Sequence, residues 1–290
     1  MSSETDQSSD SREKHGPNAP GATTLPIVAS LTTLAADTAA CVRFFSRLPL
    51  PRVNTIDNPA AAPQFRQIAR AAPLAGLVVA LPAAGVGTLL GYTALPAFAV
   101  AALVLAALCA TTGALHEDGL SDVADGFFGG ATPDRRLEIM KDSRIGAFGA
   151  LALVLTVVLR IALLAVLWQK VSPADAALIF LSTEVTSRAI LVWQWARRPL
   201  ARPDGLAARF GKPDATTARN AALLAVPFLV PAALILSPTA LFLGLALALA
   251  AGVAIGHIAV AKIGGVTGDV LGAIQQICGL GFLVGMLMVP

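Results

Sequence analysis

The sequence predicts an all-α protein, a polytopic membrane helical bundle of about seven transmembrane helices. Three observations lead to this fold class. Of the 290 residues, 56% are hydrophobic and only 13% are charged, whereas a soluble domain has about 25% charged residues. The mean hydropathy is +0.72, so the apolar surface needs the bilayer as its solvent. Aromatic residues make up only 6%, and the remaining apolar residues are largely small ones that let transmembrane helices pack closely.

Apolar stretches near 20 residues, the length that spans a hydrocarbon core about 30 Å thick, recur along the chain. We identify seven of them, at 73–91, 94–115, 147–168, 174–196, 219–236, 239–260 and 270–289. An earlier stretch, 25–45, is only moderately apolar and contains Asp37 and Arg43. It fits either an interfacial amphipathic helix or an eighth span.

Residues 1–24 are polar, rich in Ser, Asp and Pro, and lack the apolar core of a secretory signal. We therefore predict a disordered cytoplasmic tail over 1–24. Residues 25–290 then form a single integral-membrane domain.

The connections between spans alternate in charge. One set is short and nearly neutral, at 92–93, 169–173 and 237–238, with Lys170 as its one charge. The basic set holds Arg43, Arg47, Arg52, Arg66, Arg70, Arg197, Arg198, Arg202, Arg209, Lys212, Arg219 and Lys262. The positive-inside rule places the basic set in the cytoplasm of a bacterial cell, with the protein as a multi-pass component of the inner membrane.

All the long polar loops, at 46–72, 116–146, 197–218 and 261–269, therefore fall on the cytoplasmic side. The formal charge of +3 is too small and too scattered to predict nucleic-acid binding. We expect the lipid bilayer as the main partner, and the small residues of the spans also permit a homo-oligomer.

The segment 116–146, HEDGLSDVADGFFGGATPDRRLEIMKDSRIG, concentrates acidic residues directly after an apolar span. Asp118, Asp122 and Asp125 are spaced i, i+4, i+7, which places them within roughly 60° of one another on a helix. Glu117 sits about 100° to the side. Like charges on one stripe repel unless a cation lies among them, and carboxylate oxygens suit Mg²⁺. The sequence therefore predicts a metal site formed by Glu117, Asp118, Asp122 and Asp125.

Basic residues beside that site, Lys141 and Arg144, suit a diphosphate substrate. Ser143 belongs to the same polar group. The glycine-dense segment 262–273, KIGGVTGDVLGA, leads into the last span, and Asp269 is either a helix cap or a further metal ligand.

Other residues leave two interpretations open. Arg47 lies at the membrane edge, as an interfacial anchor or a substrate contact. Glu184 and Arg188, four residues apart within a span, form either a structural ion pair or a substrate contact, and Arg160 is also charged within a span. His116 is a ligand, a base or a residue of the helix entrance.

The sequence resembles the cobalamin synthases, the adenosylcobinamide-GDP ribazoletransferases, over most of residues 44–289. The matching blocks follow one another in family order: FFSRLPLP (44–51), PLAGLVVAL (73–81), GALHEDGLSDVADGFFGG (113–130), RRLEIMKDSRIGAFGALALVL (135–155), SRAILVWQWARRPLARPDGLAARFG (187–211) and KIGGVTGDVLGA (262–273). The resemblance implies that α-ribazole, or its 5′-phosphate, is joined to adenosylcobinamide-GDP with release of GMP. Mg²⁺ is the implied cofactor.

That reaction gives roles to the residues above. A ribazole hydroxyl attacks phosphorus, and Asp122, Asp125 or Asp142 orients or deprotonates it. Substrate contacts are expected from Arg47, Lys141, Ser143, Arg144 and Asp269.

Two alternatives compete with this prediction. A CDP-alcohol phosphotransferase performs the same class of reaction on lipid, but its DGxxAR signature is absent, because LSDVADG follows Asp118–Gly119. An ion-coupled transporter would use Asp118, Asp122, Glu184 and Arg188 as its ion path, and the one-sided polar loops argue against it.

Overall fold

The structure, a computed structural model, describes residues 26–202 and 205–289. Within these ranges the chain is helical and forms no strand, only one isolated bridge between Leu200 and Val266. The helices are α1 (Pro26–Phe45), α2 (Phe65–Ile68), α3 (Ala72–Gly91), α4 (Ala97–Thr112), α5 (Leu115–Gly129), α6 (Pro133–Ile139), α7 (Ala147–Lys170), α8 (Pro173–Arg197), α9 (Leu206–Arg209), α10 (Ala215–Ala225), α11 (Val230–Ile235), α12 (Pro238–Ile263) and α13 (Gly268–Leu287). The predicted tail 1–24 lies outside the described residues and stays a prediction.

Short capping signals start the long helices. The side chains of Ser172, Ser237 and Thr267 each accept a hydrogen bond from the backbone N–H three residues later, at the first turns of α8, α12 and α13. Proline follows the two serines at the first helical position, where it has no N–H to leave unpaired. These caps let the chain reverse direction in very few residues.

The helix lengths confirm a polytopic membrane bundle. Within the described residues, six helical segments are long and apolar enough to cross a membrane, and a seventh is added if the bent pair α4–α5 counts as one span. The six are Phe65–Gly91, Ala147–Lys170, Pro173–Arg197, Ala215–Ile235, Pro238–Ile263 and Gly268–Leu287. Helix α1 is not among them. It covers most of the stretch 25–45, for which the sequence left an interfacial helix and an eighth span as alternatives.

One predicted span is wrong in its extent. The stretch 94–115 is not a continuous helix, because α4 ends at Thr112 and α5 begins at Leu115 with its axis turned by 91°. Gly113 and Ala114 between them both have a left-handed backbone, with φ of 65° and 55°. Two such residues in succession stop a right-handed helix.

Helices α8 and α13 form the centre of the bundle. In each of them 78% of an apolar stretch of 18 residues is buried inside the protein, whereas the buried share of such a stretch is 22% in α7 and in α12. The exposed apolar residues of α7 and α12 are consistent with a lipid-facing surface. Residues on α8 and α13 are therefore the ones that set the interior chemistry.

The two ends of the bundle differ in the way the sequence predicts. At one end, the short connections meet the C-terminal segment: Lys170 Nζ donates to the Val289 carbonyl, and Gly91 lies against Pro173. At the other end the long polar segments touch one another: Arg47 N donates to the Thr111 carbonyl at 2.7 Å, and Phe65 N to the Phe210 carbonyl at 2.7 Å. We call the second end the polar end.

Candidate active site

The first half of the acidic segment is helical, as the spacing of Asp118, Asp122 and Asp125 predicts, and it is packed into the bundle. This half is the helix α5, which packs between α13 and α7. Ten of its residues are buried, including Glu117, Ser121 and Asp125. The sharp turn at Gly113 and Ala114 directs α5 back against the bundle, so Glu117 and Asp125 lie on helix interfaces.

Two glycines bring α5 and α13 into close contact. A Cβ atom added at Gly119 would lie 2.8 Å from the backbone oxygen of Asp269. One added at Gly272 would lie 3.3 Å from the Cα atom of His116. Because neither glycine has a side chain, the first turn of α13 approaches the middle of α5 directly, and Asp269 lies beside the acidic stripe.

The three aspartates of the stripe differ in exposure. Asp118 is exposed, Asp122 is half-buried and Asp125 is buried. Asp122 lies within electrostatic range of Asp118, Asp125 and Asp269. The structure thus brings Asp118, Asp122 and Asp269 together, although Asp269 is 147 positions later than Asp122 by the sequence numbers.

Asp125 has a defined structural task. Its Oδ2 accepts a hydrogen bond from Gly146 N at 2.7 Å, and its Oδ1 accepts one from Gly149 N at 2.9 Å. These N–H groups belong to the first turn of α7, whose own N-cap residue is a glycine without a capping side chain. A carboxylate there satisfies unpaired donors and favours the helix dipole. Asp125 therefore anchors α7 to α5.

Glu117 faces the interior. Its Oε1 accepts from Gln276 Nε2 at 3.0 Å and from the Cys109 thiol at 3.7 Å. Gln276 Oε1 in turn accepts from Arg160 at 3.0 Å. Glu117 is thus part of a buried polar network rather than of the exposed stripe.

The same network contains the charged residues predicted within spans. Glu184 Oε2 accepts from Arg188 at 2.6 Å, and Glu184 Oε1 accepts from Arg160 at 3.0 Å. Of the two interpretations of Glu184 and Arg188 that the sequence left open, the structure shows the ion pair. With Glu117 included, two carboxylates face two guanidinium groups, so the network is formally neutral and its buried charges compensate one another.

The predicted diphosphate-binding loop lies apart from this stripe. Lys141, Ser143 and Arg144 are exposed. Arg144 pairs with Asp142 at 2.6 Å, and this guanidinium lowers the pKa of the Asp142 carboxyl to about 2. A carboxyl with so low a pKa is a weak base near neutral pH, which argues against Asp142 as the group that deprotonates a hydroxyl.

A groove at the polar end connects several predicted residues. Three cavities adjoin along it by sharing lining residues. Arg47 and Asp118 line the first, Asp118 and Asp269 line the second, and Asp269 and Arg202 line the third. No ion pair to Arg47 forms within the described ranges. Asp125, Asp142 and Arg144 line a separate depression.

The comparison with known proteins gives the same family as the motifs. A family model described as cobalamin-5-phosphate synthase matches residues 37–287. The chain belongs to the cobalamin-5-phosphate synthase family. The resemblance seen in the sequence blocks is therefore confirmed, and neither alternative gains support.

The similarity to curated relatives extends over most of this chain and almost all of each relative. Proteins named adenosylcobinamide-GDP ribazoletransferase are 45% identical to this chain in Brucella anthropi, over 88% of this chain and 98% of the relative, and 44% identical in Brucella ovis, over 88% and 97%. The relative from Brucella canis is also 44% identical over 88% and 97%. No solved structure matches the chain.

For this cobalamin-5-phosphate synthase family member, the predicted four-carboxylate metal set is not assembled as a cluster. Across the residues that the structure describes, no three Asp, Glu, His or Cys side chains are grouped closely enough to hold a metal ion. Glu117 is engaged in the interior and Asp125 at the α7 N-terminus, which leaves Asp118, Asp122 and Asp269. Their role as ligands stays a prediction.

Sequence reasoning missed several residues of this family member's interior. Gln275 and Gln276, adjacent on α13, link Glu184 to Glu117 through hydrogen bonds of 3.0 to 3.2 Å. Two side-chain amides within an apolar span are costly unless they have hydrogen-bond partners. The adjacent glutamines in the last apolar stretch of the sequence were therefore a signal of a polar interior contact. Trp195, by contrast, resembles any core aromatic in sequence, and only its position beside the groove distinguishes it.

Proposed function

We propose that this protein transfers the adenosylcobinamide-phosphate moiety of adenosylcobinamide-GDP to α-ribazole, or to α-ribazole 5′-phosphate, and releases GMP. Membership of the family supports the reaction, and the names of the Brucella relatives support the substrates. The single structural observation that carries the proposal is the α5–α13 contact, which sets Asp118 and Asp269 along one groove that also contains Arg47, with Asp122 within electrostatic range of both carboxylates.

The chemistry requires one bond to form and one to break. A ribazole hydroxyl oxygen bonds to the phosphorus attached to the cobinamide arm, the bond from that phosphorus to the oxygen of GMP breaks, and the hydroxyl proton is accepted by a carboxylate. We assign proton acceptance to Asp122, because it is half-buried and lies within electrostatic range of Asp118 and Asp269. Arg47 balances negative charge on the diphosphate.

We propose Mg²⁺ as the cofactor, held by Asp118 and Asp122 with Asp269 nearby. These residues fit the ion, because Mg²⁺ binds through one or two carboxylates plus substrate phosphates and keeps several waters, and needs no all-protein cage. When bound, it would neutralise charge that builds on the phosphate oxygens. Glu117 and Asp125 remain predicted ligands, and we place them outside this smaller set because Asp125 accepts two backbone hydrogen bonds from the first turn of α7 and Glu117 is buried in the interior network.

The second phosphate-binding group stays a prediction of the sequence. Lys141, Ser143 and Arg144 are exposed and border the neighbouring depression, so contact with a substrate in the groove needs this loop to reach over α5. Arg47 and Arg202 line the groove itself. We therefore propose Arg47 as the first contact of the diphosphate.

We also propose that the polar end faces the cytoplasm of a bacterial inner membrane. The basic residues of the long segments support this orientation. Small residues on the lipid-facing helices also permit a homo-oligomer.

The test is GMP release by the purified protein incubated with adenosylcobinamide-GDP, α-ribazole and Mg²⁺. We expect release with these substrates and none with CDP-diacylglycerol. Asp118→Asn and Asp122→Asn should each lower turnover at least 100-fold, and chelation of Mg²⁺ should stop it. Asp134→Asn, an exposed carboxylate of the same polar end, is the control and should retain activity. Full Mg²⁺-dependent turnover in both stripe variants would remove the metal assignment.

A further inference from the structure

The middle cavity of the groove has a lining unlike the other two. Its walls are largely aromatic and aliphatic, with Phe44, Phe45, Phe210 and Trp195 among them. The Phe44 and Phe210 rings are 5.4 Å apart and the Phe45 and His116 rings 5.7 Å apart. Aromatic walls with a few polar atoms are typical of a site for a small organic ligand. We call it the aromatic cavity.

Two buried nitrogen atoms of this lining lack partners. Within the described residues, Trp195 Nε1 and His116 Nε2 make no hydrogen bond. Trp195 is 5% exposed and His116 is 3% exposed. A buried donor without a partner costs about 1–3 kcal/mol. Both side chains line the aromatic cavity, so a ligand that supplies an acceptor and a hydroxyl would give these atoms partners.

The size of the aromatic cavity limits its occupant. It holds about 140 Å³, close to the ~150 Å³ of an apolar cavity that accepts one benzene molecule. A corrin macrocycle is several times too large. Guanine is small enough, but its edge carries several donors and acceptors, and aromatic walls would leave most of them unpaired.

A benzimidazole base is no larger than guanine, and it lacks the row of donors and acceptors on the edge of guanine. It is flat and apolar, stacks well on aromatic side chains, and carries one free ring nitrogen that accepts a hydrogen bond. The Trp195 N–H group can only donate. The mouth of the cavity presents Asp118 and Asp269, whose carboxylates accept hydrogen bonds from ribose hydroxyls.

From these observations we infer that the aromatic cavity is the acceptor subsite, which binds the benzimidazole base of α-ribazole with its ring nitrogen on Trp195 and its ribose at Asp118. His116 Nε2 binds a ribose hydroxyl, which can donate or accept and so suits either tautomer. This inference rests on the proposed function. It adds a specificity residue, Trp195. It also gives an orientation of the bound α-ribazole, in which the ribose hydroxyls lie next to the acidic stripe.

The test compares Trp195→Phe with Trp193→Phe. The first removes the N–H group and keeps an aromatic ring. The second is its matched control on the same helix, because Trp193 does not line the aromatic cavity and instead stacks on Arg197, 5.2 Å from the ring centroid. We expect Trp195→Phe to raise the KM for α-ribazole about tenfold, with kcat and the KM for adenosylcobinamide-GDP unchanged, and Trp193→Phe to change neither KM.

A second variant guards against a folding defect. Gly268 lines the aromatic cavity, and a Cβ atom added there meets nothing within 4 Å. Gly268→Ala therefore narrows the space without displacing protein atoms. It should raise the KM for α-ribazole several-fold at an unchanged melting temperature.

Equilibrium binding of α-ribazole alone separates this inference from the proposed function. Weaker binding to Trp195→Phe than to the wild type supports the subsite, even if no GMP is released and the proposed function fails. Equal affinity of the two proteins for α-ribazole overturns the subsite, even if turnover is normal. A raised KM for adenosylcobinamide-GDP alone also overturns it, because the cavity would then hold the donor.

Discussion

At the scale of single residues, acidic side chains of one short helix serve three different tasks. Glu117 compensates buried arginines, Asp125 anchors a neighbouring helix, and Asp118 stays exposed at the groove. Glu117 leaves the helix about 100° away from Asp118 and so faces the interior. Asp125 lies on the same stripe as Asp118 but about two turns further along, where it meets the first turn of α7. Residue type alone does not separate these tasks.

Removal of Glu184 should be strongly destabilising. Glu184→Ala leaves Arg160 and Arg188 buried without their shared partner, and an uncompensated buried charge costs about 3–5 kcal/mol. We expect a fall of roughly 10 °C in the melting temperature of the detergent-purified protein. Glu138→Ala is the control, because its ion pair with Arg135 is exposed and such pairs contribute less than about 1 kcal/mol. Equal melting temperatures for the two variants would contradict the role of the network.

Asp125 and Asp118 should respond differently to the same substitution. Asp125→Asn weakens the two hydrogen bonds to the first turn of α7 and should lower stability by about 1–3 kcal/mol. Asp118→Asn should leave stability unchanged and lower turnover. Thermal unfolding and GMP release, measured on both variants, check this. If Asp125→Asn were as stable as the wild type, the anchoring role would be wrong.

At the scale of elements, the decisive feature is the contact between α5 and α13. The turn at Gly113 and Ala114 directs α5 toward the bundle, and Gly119 lets it touch the start of α13. Ala114 is the one non-glycine residue of the described chain with a positive φ, a conformation that costs about 1–2 kcal/mol and persists only where the surroundings enforce it. The approach of Asp269 to Asp122 depends on this geometry.

A methyl group at Gly119 should separate the two helices. Gly119→Ala puts a Cβ atom 2.8 Å from the Asp269 backbone oxygen, too close for an unchanged contact. We expect turnover to fall at least tenfold, because small displacements of positioned groups are costly. Gly85→Ala, where an added Cβ meets nothing within 4 Å, should be neutral in turnover. Wild-type turnover in Gly119→Ala would show that the contact is not needed.

At the scale of the whole molecule, the bundle has two unlike ends. One consists of short connections beside the C-terminal segment, and the other gathers the long polar segments with the groove. The candidate groove therefore lies at one end of the bundle rather than along a path through its centre. The buried network within the bundle is formally neutral and tied into hydrogen bonds, as a structural role requires.

The proposed orientation predicts which end accepts an impermeant reagent. Ala94→Cys lies in a short connection and Ser143→Cys lies at the polar end, and both positions are exposed. In intact spheroplasts we expect a membrane-impermeant maleimide to label Ala94→Cys and not Ser143→Cys, and to label both after lysis. The wild type, with Cys41 and Cys278 buried, measures the background. The reverse pattern would invert the topology.

The sequence by itself determined the membrane class, the approximate spans and the family. Hydropathy over 20 residues reports whether a segment crosses lipid, and this needs no knowledge of neighbouring helices. It also offered an ion pair of Glu184 with Arg188 as one of two interpretations, because residues four apart meet on any helix. The long motif around Asp118 and Asp142 sufficed for the resemblance.

Only the tertiary structure decided which carboxylates lie near one another. Asp269 comes within electrostatic range of Asp118 and Asp122 because Gly119 admits the backbone of α13, whereas Asp125 and Glu117 have partners on α7 and α13. These choices depend on contacts between residues far apart in sequence, and local spacing carries no information about them. For the same reason the sequence did not single out Trp195. That its N–H group is buried without a partner follows only from the packing of the helices around it.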